Sequence, residues 1–418
     1  MAKVNILKGF KDILPGESEQ WEWIDAVARE TFTSFGFLPI RTPILEKSEL
    51  FRRSIGETTD IVEKEMYTFQ DWDGKDITLR PEGTASVVRA YLNHRSPNTP
   101  TPAKFYYCGP MFRHERPQAG RLRQFHQIGA EIIGDINPKQ DAELLSLLHH
   151  FFEKLGISQV KLEINSLGCP NCRPAYRVAL QSYFEKSLTT LCEDCQRRYT
   201  RNPLRILDCK KDICKEITRD APSTCKYLCL ECTRHFEEVQ AKLRLLQIPH
   251  EICPHLVRGL DYYTKTAFEM TALNLGAQNA VAAGGRYDGL IKTLGGGITP
   301  AIGFAIGMER LIQLLDTTRR EKTPLRIFLI PLGQEADGLF FPLLFEIRKN
   351  RVRSEMGNSE ISLKRQLKQA DRLGSQYVLI VGDREIEAGK AVLRNMKTKE
   401  QVEIALPIKG DKLLTQIG

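Results

Sequence analysis

No stretch of the 418 residues is apolar for long enough to span a bilayer, and Met1–Phe10 lacks the long apolar core of a signal peptide. The expectation is a cytoplasmic protein with no membrane partner. There is no G-x-x-x-x-G-K-[ST] run, since Gly382–Lys390 fails the spacing, and this excludes nucleotide binding of the P-loop kind. A G-x-G-x-x-G turn after a strand is missing as well, which removes the simplest dinucleotide fold. Internal repeats and low-complexity tracts are absent, and a chain 42% hydrophobic and 27% charged is not disordered. Its length suits two or three domains, each large enough to bury a core. Cysteine is not scarce, but eleven is an odd number for a secreted disulfide framework, so the thiols are expected to be reduced or metal-bound.

The charge is unevenly placed. Residues 169–235 carry a surplus of five positive charges and residues 324–418 a surplus of four, around a near-neutral remainder. Two peripheral basic blocks suit contact with a polyanion, because neutralised phosphates supply much of nucleic-acid affinity.

After Pro15-Gly16, the apolar residues Trp21, Ile24, Val27, Ala28, Phe32 and Phe35 recur at helical spacing and stop at Gly36. Phe37–Ile44 is a short apolar stretch whose Pro39 and Pro43 place it at a sheet edge or an interface. Between Met66 and Arg80, two strand-like runs flank the turn dipeptide Asp73-Gly74. Lys104–His114 and Arg123–Gly134 form a longer strand-like pair joined by the arginine-rich Glu115–Leu122. Thr266–Thr271 and Ala280–Ala283 are further strands, followed by the cluster Gly295–Gly297 and a helix expected over Ala305–Leu315. Neighbouring hairpins indicate an antiparallel sheet flanked by helices, an α+β domain. Any bound nucleotide must lie on that sheet.

The cysteine-rich residues 169–235 interrupt this rhythm, which splits the first domain into 1–168 and 236–323 around an insertion. Asp316–Pro324 is polar, ends in proline and reads as a linker. Beyond it, Leu325–Pro331 and Tyr377–Val381 are apolar runs, with Ile361, Leu367, Ala370 and Leu373 suiting a helix between them. Residues 324–418 are therefore a small α/β domain with a mostly buried sheet.

Period two puts Phe125, Gln127, Gly129 and Glu131 on one strand face, with Gly129 leaving open space between an amide and a carboxylate. Gly109, Met111 and Arg113 share a face of the partner strand, so a guanidinium projects over the same floor and can hold a phosphate or carboxylate. In the insertion, Cys169-x2-Cys172 and Cys192-x2-Cys195 are separated by nineteen residues, a spacing that fits a tetrathiolate zinc site. Cys209, Cys214, Cys225, Cys229 and Cys232 leave other sets of four open.

Ordered motifs carry a resemblance. FRHERPQAGRLRQFHQIGAEIIG (Phe112–Gly134) resembles motif 2 of class II aminoacyl-tRNA synthetases, in the form of the histidyl-tRNA synthetase family. LVRGLDYYTKTAFE (Leu256–Glu269) and AGGRYDGL (Ala283–Leu290) are similar to that family's own signatures. LRPEGTA (Leu79–Ala85) resembles its amino-acid-binding loop, GFLPIRTPILE (Gly36–Glu46) motif 1, and TPAIGFAIGMERL (Thr299–Leu311) motif 3. The resemblance implies activation of L-histidine by ATP with Mg²⁺, transfer to tRNA(His), and a homodimer built on motif 1. It also implies an insertion that contacts the tRNA acceptor arm and a C-terminal anticodon-binding domain. By the same resemblance, Arg113 and Arg258 meet the α-phosphate and are the catalytic pair, while Phe125 and Arg310 sandwich adenine. Glu115 meets the adenine amino edge, and Arg116 and Arg121 meet the outer phosphates or the tRNA end. Glu82, Gly83, Thr84 and Gln127 hold the substrate ammonium, Arg258 its carboxylate, Glu131 and Tyr263 the imidazole, with Tyr262 and Tyr287 as pocket wall. Read singly, Thr84 could merely cap a helix and the tyrosines could be core aromatics. Two inactive relatives compete: a regulatory subunit of ATP phosphoribosyltransferase and a tRNA-sensing module. The regulatory subunit typically lacks the C-terminal domain and several synthetase motifs.

Overall fold

The computed structural model describes residues 3–57, 59–118, 120–275, 279–315 and 326–417. The linker expected at Asp316–Pro324 lies outside the described residues. The chain forms two compact units, Met1–Arg320 and Glu321–Gly418.

The first unit is organised by an eight-stranded sheet. Its strands are β1 (Leu38–Pro39), β2 (Ala103–Phe112), β3 (Gln124–Ile133), β4 (Lys161–Ser166), β5 (Glu251–Ile252), β6 (Thr264–Thr271), β7 (Ala280–Arg286) and β8 (Ala301–Gly307), in the order β1-β2-β3-β8-β7-β6-β4-β5. The six inner strands pair antiparallel, as the hairpin signals suggest. The edges differ from that expectation: β1 runs parallel to β2, and β5 parallel to β4. Each of those edge strands is two residues long, too short to leave a period-two signature. The proline-bearing β1 lies at one end of the sheet, where a missing N–H costs no ladder bond.

Alternation sorts the two faces. Tyr106, Ile128, Ala130, Ile132, Phe268, Met270, Ile302, Phe304 and Ile306 turn to one side and pack with helices Ser18–Ser34, Pro138–Lys154 and Leu230–Leu245. Ser18–Ser34 is helical because Trp21, Ile24, Ala28 and Phe32 form one buried stripe. It ends where Gly36 takes φ +80°, a left-handed conformation that is cheap only without a Cβ. Phe32 is the hub of this layer, with ring contacts to Tyr106, Phe151 and Phe304 at 5.5, 5.4 and 6.0 Å. The opposite face carries Tyr107, Ala267 and Ala301, packed with Val87 and Val88 of the Thr84–His94 helix and with Tyr262, Tyr263 and Tyr287.

Ala305–Leu315 is not one helix. Ala305–Gly307 ends β8, and the helix begins at Met308 and runs to Leu314. Ile302, Phe304 and Ile306 alternate with Gly303, Ala305 and Gly307, so period two runs to the end of the strand, and the small side is what the sheet needs beneath the cavity.

A fully buried ion network ties the helices to the sheet. Asp141 accepts from Arg286 Nε at 2.8 Å and lies 3.1 Å from His235 Nε2, and all three side chains are buried. The insertion carries helices Arg173–Glu185, Glu193–Arg201 and Asp212–Thr218, and its last turn continues into the Leu230–Leu245 helix. In the second unit, a five-stranded sheet has a parallel half, built on the wholly buried Ile327–Pro331, and an antiparallel half. Helix Leu363–Arg372 realises the expected helix, with Ile361 and Leu373 just outside it.

Candidate active site

Register builds the floor of the site. Across the sheet, Gly109, Gln127 and Gly307 lie side by side, as do Tyr107, Gly129, Ala305, Ala283 and Glu269. Glycine and alanine in β7 and β8 leave the space above them free of side chains. A cavity of ≈ 320 Å³ stands on this floor. Glu82, Thr84, Arg113, Glu115, Arg121, Phe125, Gln127, Arg258, Tyr262, Tyr263 and Arg310 all line it. Segments far apart in sequence therefore converge on one volume.

At one end the cavity is cationic and aromatic. The Arg113 guanidinium lies 5.3 Å from the centre of the Phe125 ring, and its Nε donates to Pro81 O at 2.8 Å. Arg121 pairs with Glu115 at 2.8 Å, and Arg310 donates to Ala280 O at 2.6 Å. Burial, followed by repulsion from Arg121, lowers the Arg310 pKa.

The other end is acidic and phenolic. Glu82 accepts from the backbone N–H groups of Thr84 and Ala85, both at 2.8 Å, and so caps the Thr84–His94 helix. The Thr84 hydroxyl does not cap; it donates to Glu131 Oε1 at 2.7 Å, while the Tyr287 hydroxyl donates to Glu131 Oε2 at 2.6 Å. Burial pushes the Glu131 carboxyl up to about 8, against the pull of those two hydroxyls. Burial likewise raises Glu82, with its backbone donors opposing.

Arg258 sits between the ends, ion-paired to Glu269 and 5.6 Å from the centre of the Tyr263 ring. Burial works against its charge, yet attraction to Glu269 and then to Tyr263 and Asp208 holds its pKa above the usual value. Its Nε and Gln127 Oε1 are buried with no hydrogen-bond partner among the described residues, which leaves two polar atoms for a ligand to satisfy.

Four candidate residues do not line the cavity. Glu131 and Tyr287 lie beneath it, linked to Thr84; Gly83 is covered; and Arg116 is exposed outside. The open space expected at Gly129 is not open. A Cβ there would come within 2.2 Å of the Tyr107 ring, and one at Gly83 within 2.3 Å, so both glycines make room for that ring rather than for a ligand. Gly303 has a comparable role, since a Cβ there would lie 1.6 Å from Glu131 Oε2.

Some lining residues escaped sequence reasoning. Glu269 alternates with buried Phe268 and Met270, a signal that could have placed it on the floor. Asp208 and Lys210 come from the insertion, and nothing local marks them. That segment docks on the main unit through Arg198–Asp60 at 3.0 Å, Asn202–Asp261 at 3.1 Å and Arg205 Nη1 to Arg258 O at 3.3 Å.

The expected metal set is corrected. Cys169 and Cys172 do not meet Cys192 and Cys195; they meet Cys229 and Cys232, while Cys192 and Cys195 meet Cys209 and Cys214. The 13-residue helix Arg173–Glu185 spans about 20 Å and carries the second pair away from the first.

The cavity joins a cationic, aromatic end to an acidic, phenolic end over an antiparallel sheet. Comparison with known proteins gives the family. The family described as "Histidyl-tRNA synthetase" matches residues 9–311, and "Anticodon binding domain" matches residues 326–409. The histidine--tRNA ligase of Syntrophotalea carbinolica is 52% identical over 400 residues, 96% of either chain. A crystal structure of apo S. aureus histidyl-tRNA synthetase superposes with a TM-score of 0.82 at 38% identity, covering 99% of this chain and 100% of that one. An ATP phosphoribosyltransferase regulatory subunit/histidyl-tRNA synthetase from Bacillus halodurans C shares the fold alone, with a TM-score of 0.67 at 20% identity over 90% of this chain and 98% of that one. The chain belongs to the histidyl-tRNA synthetase family.

Proposed function

We propose that this chain is a histidine–tRNA ligase, acting in the cytoplasm on L-histidine, ATP and tRNA(His). The observation that carries the reading is the cavity in which Arg113, Arg121, Arg258 and Arg310 stand with the buried carboxyl of Glu82, while Glu131 lies beneath and accepts from the lining Thr84. A histidine carboxylate oxygen attacks the α-phosphorus of ATP, the bond to the leaving pyrophosphate breaks, and histidyl-adenylate forms. A terminal ribose hydroxyl of tRNA(His) then attacks the acyl carbon and AMP leaves. Mg²⁺ enters with ATP as part of the substrate.

No covalent nucleophile is needed, so positioning and charge supply the rate. Arg113 and Arg258 bear on the α-phosphate, where negative charge grows in the transition state. Phe125 and Arg310 hold adenine between a ring and a planar cation, Glu115 takes its amino edge, and Arg121 takes the outer phosphates. Exposed Arg116 is left to the tRNA end. Glu82, Thr84 and Gln127 receive the ammonium. Tyr263, with Glu131 behind Thr84, selects imidazole. An apolar isostere would leave these buried groups unpaired.

The basic insertion faces the acceptor arm, and residues 324–418 read the anticodon. Motif 1 makes a homodimer contact, supported by the exposed Leu38, Ile44 and Leu45. The regulatory-subunit and tRNA-sensor readings are disfavoured by the intact arginine set and the full second unit. Histidine-dependent exchange of pyrophosphate into ATP tests the proposal. Exchange with histidine and with no other amino acid supports it, and none with histidine would leave the inactive relatives.

A further inference from the structure

We propose that the cysteine-rich segment holds two structural zinc ions, one bound by Cys169, Cys172, Cys229 and Cys232, the other by Cys192, Cys195, Cys209 and Cys214. Within each group the four sulfur atoms lie inside 4.8 Å of one another. Cys169 Sγ is 3.7 Å from Cys172 Sγ and 3.9 Å from Cys229 Sγ, and Cys192 Sγ is 3.8 Å from Cys209 Sγ. Zn–S bonds of about 2.3 Å in a tetrahedron put sulfurs about 3.8 Å apart, whereas a disulfide requires about 2.05 Å. The spacing is thus that of ligands around a shared ion.

Other observations agree. Each group takes a backbone N–H onto sulfur, Cys229 N to Cys172 Sγ at 3.1 Å and Cys192 N to Cys214 Sγ at 3.4 Å. Helices begin at the ligands: Cys192 and Cys229 are N-cap residues, and Cys172 immediately precedes Arg173–Glu185. Four soft sulfur donors select zinc over magnesium or calcium, and a closed set of four leaves no open position for chemistry. Cys108, Cys225 and Cys253 stand outside both groups.

Both ions would act on the cavity from a distance. The first ties the two ends of the segment together beside Arg173, which follows Cys172 and donates to Tyr263 O. The second holds Cys209, whose chain neighbours Asp208 and Lys210 line the cavity. All eight ligands are positioning residues.

The test is metal content of the full-length chain, purified reduced and without chelator, together with the absorption spectrum after replacement of zinc by cobalt. Two zinc ions per chain and tetrahedral cobalt–thiolate bands of matching stoichiometry are expected. Cys209→Ser and Cys229→Ser should each lose one ion, and Cys225→Ser should keep both. One zinc or none in the wild-type chain, cobalt lacking thiolate bands, or loss of an ion in Cys225→Ser would overturn the assignment. Should a ligand variant fail to fold, the wild-type stoichiometry and spectrum still decide, and neither depends on the catalytic reading.

Discussion

Replacing Glu131 with glutamine should flatten the dependence of stability on pH. In the folded chain this carboxyl is fully buried, receives hydroxyls from Thr84 and Tyr287, and has no ion pair among the described residues. Its pKa of about 8 stands well above the ordinary 4.5, so between those values the folded chain keeps a proton that the unfolded chain has released. Stability contributed by the protonated form is complete below about pH 4.5 and is lost as pH rises toward 8. At about 1.36 kcal/mol per unit, the loss is roughly 3 kcal/mol from pH 5 to pH 7.5. Glutamine has nearly the same shape and does not titrate. Urea unfolding, followed by fluorescence of Trp21, Trp23 and Trp72, reports on the unit that contains Glu131. The Glu131→Gln variant should gain on the wild type by that amount across the window. A difference between the two proteins that stays constant with pH would refute the reasoning.

Gly303→Ala must displace Glu131 or strain the sheet, since its Cβ would also lie 2.8 Å from Ala130 O. We expect a loss of about 2 kcal/mol and a raised KM for histidine, with Gly297→Ala, which meets open space, unchanged in both assays. Asp141→Ala takes the fully buried partner from Arg286, which keeps Asp288 at 3.2 Å, and should cost about 3 kcal/mol in urea unfolding; a loss below about 1 kcal/mol would mean the network is not structural. Light scattering should give two chains per particle for the wild type and one for Leu38→Glu. A single-chain mass for the wild type would dismiss the motif 1 interface.

The central hairpin was legible because β2 and β3 are long strand-like runs that flank a polar loop, and period two alone puts Gln127 on one face with Phe125 and Glu131, while its place opposite Gly109 is set by register. The site was legible chiefly through its motifs. Arg258 has no local pattern that marks it, and although alternation with Phe268 and Met270 faces Glu269 to the floor, only register sets it beside Ala283. The end of β8 carries a period-two signal in Ile302, Phe304 and Ile306, but Ala305, Met308 and Leu311 also fit helical spacing, so the boundary between strand and helix is ambiguous in sequence. Gly129 misled for another reason: a glycine shows that space is needed, but the ring of Tyr107 that fills it comes from the next strand. Cysteine pairs announced metal binding, yet which pairs meet depends on where the intervening helices carry the chain. The same dependence hid Asp208 and Lys210, whose place in the cavity wall is set by docking of the insertion.

Charging of tRNA(His) with labelled histidine by the wild type and by Arg258→Ala, compared at equal folded concentration, tests most directly whether this cavity performs the chemistry. The wild type should charge. The variant should be slower by about 10²–10³-fold, the scale of removing one preorganised donor from a developing charge, with its unfolding transition still cooperative. Equal charging by both proteins, or none by the wild type, would contradict the account.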